Sequence, residues 1–91
     1  MKVNFEELEK KYGSEFVNEL KKDIDFRELS GDKWKLEIVR IGKYTDRYML
    51  ATNFDVVIYD VYPNRLRSKR IIGYTECEKA IQLMNEMREK E

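Results

Sequence analysis

At Lys33 the hydrophobic pattern changes period, and that change narrows the architectures open to the chain. Before it, apolar residues recur at helical spacing: Phe5, Leu8 and Tyr12, then Phe16, Val17, Leu20 and Ile24. After it, Trp34, Leu36 and Ile38 alternate with Lys33, Lys35 and Glu37, the pattern of a strand with one apolar face. Helical spacing returns in Cys77, Ala80, Ile81, Met84 and Met87. The order predicts an α+β domain: one or two N-terminal helices, a three- to four-stranded antiparallel sheet and a C-terminal helix. A chain of 91 residues holds one compact core, so residues 1–91 read as a single domain.

Local signals place the boundaries. Asn4 with Glu7 three residues on is a capping box, and Val3 and Leu8 occupy the positions of a hydrophobic staple. Gly13-Ser14 reads as a helix-ending glycine followed by a new N-cap, so two helices are favoured over one kinked helix across 4–24. Asp25 to Asp32 reads as a polar connection ending in the turn Ser30-Gly31-Asp32. In the first strand the apolar parity slips at Ile38-Val39, as a β-bulge would cause. Gly42 to Asp46 is a hairpin loop, Tyr48 to Thr52 a second strand, and Asp55 to Tyr62 a third. Pro63-Asn64 ends the third strand, and Ser68 to Ile72 is a short edge strand guarded by its Lys and Arg side chains. Thr75 with Glu78 reads as the capping box of the last helix.

The third strand places Val56, Val57, Ile58, Tyr59 and Val61 on both of its faces. A strand covered on one face alone alternates more cleanly. Its second face calls for a helix, a partner or a second copy of the chain, unless the tyrosines cover it themselves.

The formal charge is zero but is unevenly spread. Residues 1–32 carry 6 basic and 9 acidic side chains, residues 33–75 carry 9 and 4, and residues 76–91 carry 3 and 5. The basic middle also holds Trp34 and five of the six tyrosines, Tyr44, Tyr48, Tyr59, Tyr62 and Tyr74. Such a centre suits an anionic or mixed partner. No apolar run reaches the roughly 18 residues of a membrane span, and the first residues lack a signal-like apolar region, so a cytoplasmic protein is expected. There is no histidine, and Cys77 is the single cysteine. Histidine-based catalysis, an intramolecular disulfide and His or Cys metal sites are thereby excluded; a carboxylate-only metal site has no signature, and no cofactor is implied.

Two groups of residues carry interaction chemistry. Arg65, Arg67 and Lys69 alternate in an extended segment that also holds Arg70, a comb that can follow a phosphate backbone or simply protect an edge strand. Tyr44, Arg47, Tyr48, Tyr59 and Tyr62 converge if the first hairpin lies beside the third strand. Tyr and Arg dominate interface hot spots, and aromatic residues also pair across strands for stability alone. Asp55 and Asp60, five apart, point to opposite faces and do not form a paired-carboxylate site unless a bulge intervenes. Cys77 reads as a small core residue, and Met84 and Met87 as core or interface fillers.

The sequence Leu29-Ser30-Gly31-Asp32, Trp34 to Ile38, Gly42-Lys43-Tyr44, Arg47 to Leu50 and Val56 to Tyr59, then the basic stretch through Arg70 and the helix bearing Glu78, Ala80, Ile81 and Met84, resembles the RelE/HigB-like toxin superfamily over about residues 29–88. That resemblance implies a ribosome-dependent mRNA endonuclease neutralised by an antitoxin. It implies that Arg47, Arg65, Arg67, Lys69 and Arg70 act on RNA. The chain departs from it by opening with a helix, by its neutrality, and by reading Tyr62-Pro63-Asn64-Arg65 after the third strand.

The residues favour a small non-enzymatic interaction module that binds a protein or ribonucleoprotein through a basic, Tyr-rich sheet face made by Tyr44, Arg47, Tyr48, Tyr59, Tyr62, Arg65, Arg67, Lys69 and Arg70. One version is a phage or mobile-element inhibitor of a host defence nuclease. The alternatives are the RNA-cleaving toxin and a homodimeric structural protein. The acidic helices are a further candidate surface.

Overall fold

The computed structural model describes residues 3–89, without the side chains of Tyr74 and residues 87–89, so the expected role of Met87 lies outside the described residues. Helices α1 (Phe5–Tyr12) and α2 (Ser14–Leu29) precede strands β1 (Trp34–Ile41), β2 (Asp46–Thr52), β3 (Val56–Tyr62) and β4 (Arg65–Ile72). A 3₁₀ turn, Tyr74–Glu76, leads into α3 (Glu78–Glu89). The strands form an antiparallel meander in the order β1-β2-β3-β4. The α+β reading therefore holds, with two N-terminal helices and four strands.

The two-faced β3 strand is covered twice. On one face, Val57, Tyr59 and Val61 join Leu50 beneath Tyr12 of α1 and Phe16, Leu20 and Ile24 of α2. On the other, Val56 and Ile58 join Met49 and Ala51 beneath Ala80 and Leu83 of α3. Each large side chain removed from water here contributes about 1.5–3 kcal/mol. Among the alternatives for the second face, the helix is the one the structure uses. It lies mainly over β1 and β2 and also buries Val56 and Ile58, so the part of that face made by β4 stays open.

Asn4 accepts a hydrogen bond from the Glu7 N–H at 3.1 Å, capping α1 as its spacing predicts. Gly13, at φ 87° and ψ 172°, divides the two helices. Its backbone touches the β3–β4 turn. A Cβ added at Gly13 would lie 2.7 Å from the Asn64 carbonyl oxygen. The Asn64 N–H in turn donates to the Lys11 carbonyl at 3.3 Å. In that turn Pro63 supplies its fixed φ, and Asn64 takes the positive φ of 72° that asparagine tolerates.

The expected bulge in β1 is present at Val39, between the pairs Ile38–Tyr48 and Arg40–Arg47. Four boundaries differ from the sequence reading by two residues or more. Helix α2 continues to Leu29 through the segment read as a polar connection. The reason is Arg27, which follows Leu20 and Ile24 at helical spacing but turns inward to bond both Asp55 carboxylate oxygens, at 3.1 and 3.0 Å. Strand β2 begins earlier, at Asp46, and β4 begins at Arg65 and pairs with β3 along its length. Helix α3 begins at Glu78, because residues 74–76 form the 3₁₀ turn and Thr75 sits inside it instead of capping the helix. This start turns Ala80 and Leu83 to the sheet and leaves Ile81 38% exposed. Among the described residues no helix is long and apolar enough to cross a membrane.

Gly13 carries both a conformation reserved for glycine and a close approach, whereas Gly31, at φ 75°, faces open space. Gly13→Ala is expected to lower unfolding free energy by about 2 kcal/mol or more, and Gly31→Ala by about 1 kcal/mol. Urea unfolding of both variants checks this; equal losses would remove the close approach as a cause.

Candidate functional site

The open part of the α3 face begins with two bulges. In β1 the extra residue Val39 lets Arg40 face its β2 partner Arg47 on the α3 side. In β4 the register shifts between Leu66 and Ser68, with Arg67 as the extra residue. The bulge changes the parity of the basic comb. Leu66 joins the α2 side, opposite Val61, whereas Arg65, Arg67, Ser68 and Arg70 fall on the α3 side. Lys69 turns the other way, where its ammonium meets Asp23 at 2.9 Å and Glu19 at 3.3 Å. Burial opposes the Lys69 charge, but the bonds to Asp23 and Glu19 outweigh it and hold its pKa above the usual lysine value. The expectation that Arg65, Arg67 and Lys69 share one face is thus corrected by a one-residue bulge.

The expected tyrosine cluster divides as well. Tyr59 is 0% exposed beneath α2, and its hydroxyl donates to Asp23 at 2.5 Å. Tyr48 packs edge-on to Tyr12, with ring centroids 5.5 Å apart, and also contacts Phe16. The Tyr12 hydroxyl donates to Asp46 at 2.6 Å. Burial, reinforced by these carboxylates, pushes both the Tyr12 and Tyr59 hydroxyls well above the usual tyrosine range. Tyr48 and Tyr59 therefore serve the core and do not lie on the basic face. Tyr44 stands 69% exposed in the 42–45 loop, beneath the Lys43 ammonium. Of the four tyrosines expected to converge, Tyr62 joins the arginines: the guanidinium carbons of Arg65 and Arg67 lie 5.3 and 5.5 Å from its ring centroid.

Between this strip and the start of α3 runs a groove of about 470 Å³. Its apolar lining is Val39, Met49, Ile58 and Ile72; its polar lining is Arg40, Arg47, Arg70, Lys79, Glu76 and the half-buried Cys77. Four of these side chains are cationic and one is anionic. The six arginines with described side chains divide into two kinds. Arg27 and Arg47 each grip an aspartate with two hydrogen bonds. No carboxylate among the described residues lies within ion-pair distance of Arg40, Arg65, Arg67 or Arg70. All four unpaired guanidiniums belong to the open face.

Arg47 and Asp60 fix the middle of this face. Arg47 Nε donates to Asp60 Oδ1 at 2.7 Å and a terminal nitrogen donates to Oδ2 at 3.0 Å; Ser68 Oγ adds a bond at 3.3 Å. The Arg47 hydrogen bonds hold the Asp60 carboxyl below the usual carboxylate range, against the opposing effect of burial. The same pairing raises the Arg47 pKa further. Asp55, as its spacing predicts, lies on the opposite side with Arg27, so the two aspartates make no joint site. Among the described residues no three Cys, Asp or Glu side chains come together as a metal site would require.

The sequence reading missed Arg40 and Lys79, and it treated Cys77 as core only. The signal for Arg40 was the parity slip at Ile38-Val39, which carries the next residue to the face of Arg47. Lys79 carried no signal, since its place depends on where α3 begins. Compared with protein-family models, curated proteins and solved structures, the chain matches none.

Because the folded Asp60 pKa is depressed, its stabilising contribution is present above the ordinary carboxylate range and is lost as pH falls through the depressed value. Asp60→Asn is expected to cost about 2 kcal/mol near neutrality. That cost should shrink as pH falls through the depressed Asp60 value, where the wild-type carboxyl is also protonated. Urea unfolding across the pH range measures it; a cost independent of pH would contradict the pairing as its source.

Proposed function

We propose that this protein is a non-enzymatic interaction module whose α3-side groove and β4 strip receive an anionic surface of a protein or ribonucleoprotein. The observation that carries this reading is the placement of the unpaired arginines. Elsewhere in the fold, cations on the sheet and buried arginines find carboxylates: Arg27 with Asp55, Lys35 with Glu86, Lys69 with Asp23. Among the described residues Arg40, Arg65, Arg67 and Arg70 have no carboxylate within ion-pair distance, and they share one face. Like charges gathered without counterions cost stability through repulsion, and binding an anionic partner removes that cost. Arg65 and Arg67 are also held against Tyr62, which limits the freedom they lose on binding.

The endonuclease reading draws on the same face. It needs Arg47 turned to a phosphate, whereas Arg47 is engaged on both sides of its fork by Asp60. This favours binding over cleavage. Affinity capture from a lysate with the intact chain, with and without nuclease, is expected to return a discrete partner. Arg65→Glu with Arg67→Glu should abolish its recovery, and Lys10→Glu, on the exposed side of α1, should not. Equal recovery by all three proteins would remove the groove face as the site. Expression in a bacterium is expected to leave growth unaffected; arrest relieved by changing Arg47 or Arg65 would favour the endonuclease.

A further inference from the structure

The reading of the groove as a docking site leaves the chemistry of its occupant open, and the lining limits that chemistry. We infer that the groove takes an acidic peptide segment of a partner protein carrying one apolar anchor residue. This inference rests on the proposed function and specifies it.

The accessible apolar lining of the floor is Val39 and Ile72, both partly exposed, above the buried Met49 and Ile58 of the central strands. Such a floor gains from burying an apolar side chain. Single-stranded RNA is held differently, by aromatic rings on which bases stack. No aromatic ring among the described residues lines the groove. Tyr48 and Tyr59 lie beneath the helices on the other side of the sheet. The Tyr62 ring already faces two guanidiniums. Among the described residues a nucleic acid would therefore meet charge but no stacking surface in the groove.

The rim supplies the acidic part of the specification. Arg40 and Arg70 flank the aliphatic floor with no carboxylate partner among the described residues. Their planar, five-donor heads bind carboxylates in bidentate fashion, and more weakly hydrated guanidinium desolvates at lower cost than ammonium. An anchor flanked by Asp or Glu satisfies floor and rim together. A wholly acidic segment leaves the floor wet, and a wholly apolar one leaves the arginines facing it. Edge-to-edge addition of a strand is a poorer fit, since the bulges at Val39 and Arg67 interrupt both edge strands of the sheet.

Cys77, the chain's single cysteine, lines the groove and reports on its occupancy. The test selects a displayed random-peptide library on the intact chain, in parallel with a random-sequence RNA pool. Bound ligands are then assayed for slowing the alkylation of Cys77. The selected peptides are expected to combine Asp or Glu with one Leu, Ile, Met or Phe, and to protect Cys77. Arg40→Glu with Arg70→Glu, in a variant shown by urea unfolding to be folded, should weaken them about tenfold or more. Peptides without acidic enrichment, or no protecting peptide, would overturn the inference. RNA that protects Cys77 where peptides do not would overturn it while leaving the groove as a docking site. Protection by neither would overturn both.

Discussion

A central strand that is apolar on both faces has to be covered twice, and most of this architecture follows from meeting that demand. Val57, Tyr59 and Val61 require one layer and Val56 and Ile58 another. Two helices placed before the sheet supply the first. The second falls to a single helix of 12 residues that lies mainly over β1 and β2. One helix cannot cover four strands, so part of the second face stays open. What stands there is the chemically distinctive feature of the molecule: four arginines without an ion-pair partner among the described residues, two of which, Arg40 and Arg70, line a groove.

The two sides of the sheet differ in how charge is handled. On the α1–α2 side the polar groups entering the interior are saturated. Arg27 holds Asp55, whose carboxylate also accepts from the Thr52 hydroxyl at 2.8 Å. Asp23 accepts from both Tyr59 and Lys69. A buried charge left unpaired costs several kcal/mol, so such closure is what a stable core demands. On the α3 side Arg47 closes on Asp60, Lys35 on Glu86 and Lys79 on Glu37, whereas Arg40, Arg65, Arg67 and Arg70 have no ion-pair partner among the described residues.

The period change at Lys33, the division at Gly13 and the slip at Ile38-Val39 were legible because each is a local event written in neighbouring residues. Helix α2 was underestimated because its last inward position is an arginine. Nothing nearby shows that Asp55, 28 residues on, will receive it. The candidate site was half legible. Arg47, Tyr62, Arg65, Arg67 and Arg70 do share a face, but Lys69 leaves it because a bulge at Arg67 changes parity in a segment with no apolar alternation to reveal the slip. The tyrosines misled for a related reason. Their composition suits an interface and a core equally, and which one they serve is decided by helices distant in sequence.

The central claim is that the arginines of the open face serve binding and not the fold. The direct test is the urea-unfolding free energy of Arg40→Gln with Arg70→Gln, which keeps much of each aliphatic stem and removes both charges. The account predicts a value within about 0.5 kcal/mol of wild type, or above it, as for surface changes that relieve repulsion. A loss of about 2 kcal/mol or more would mean that these side chains hold the structure together, and would contradict it.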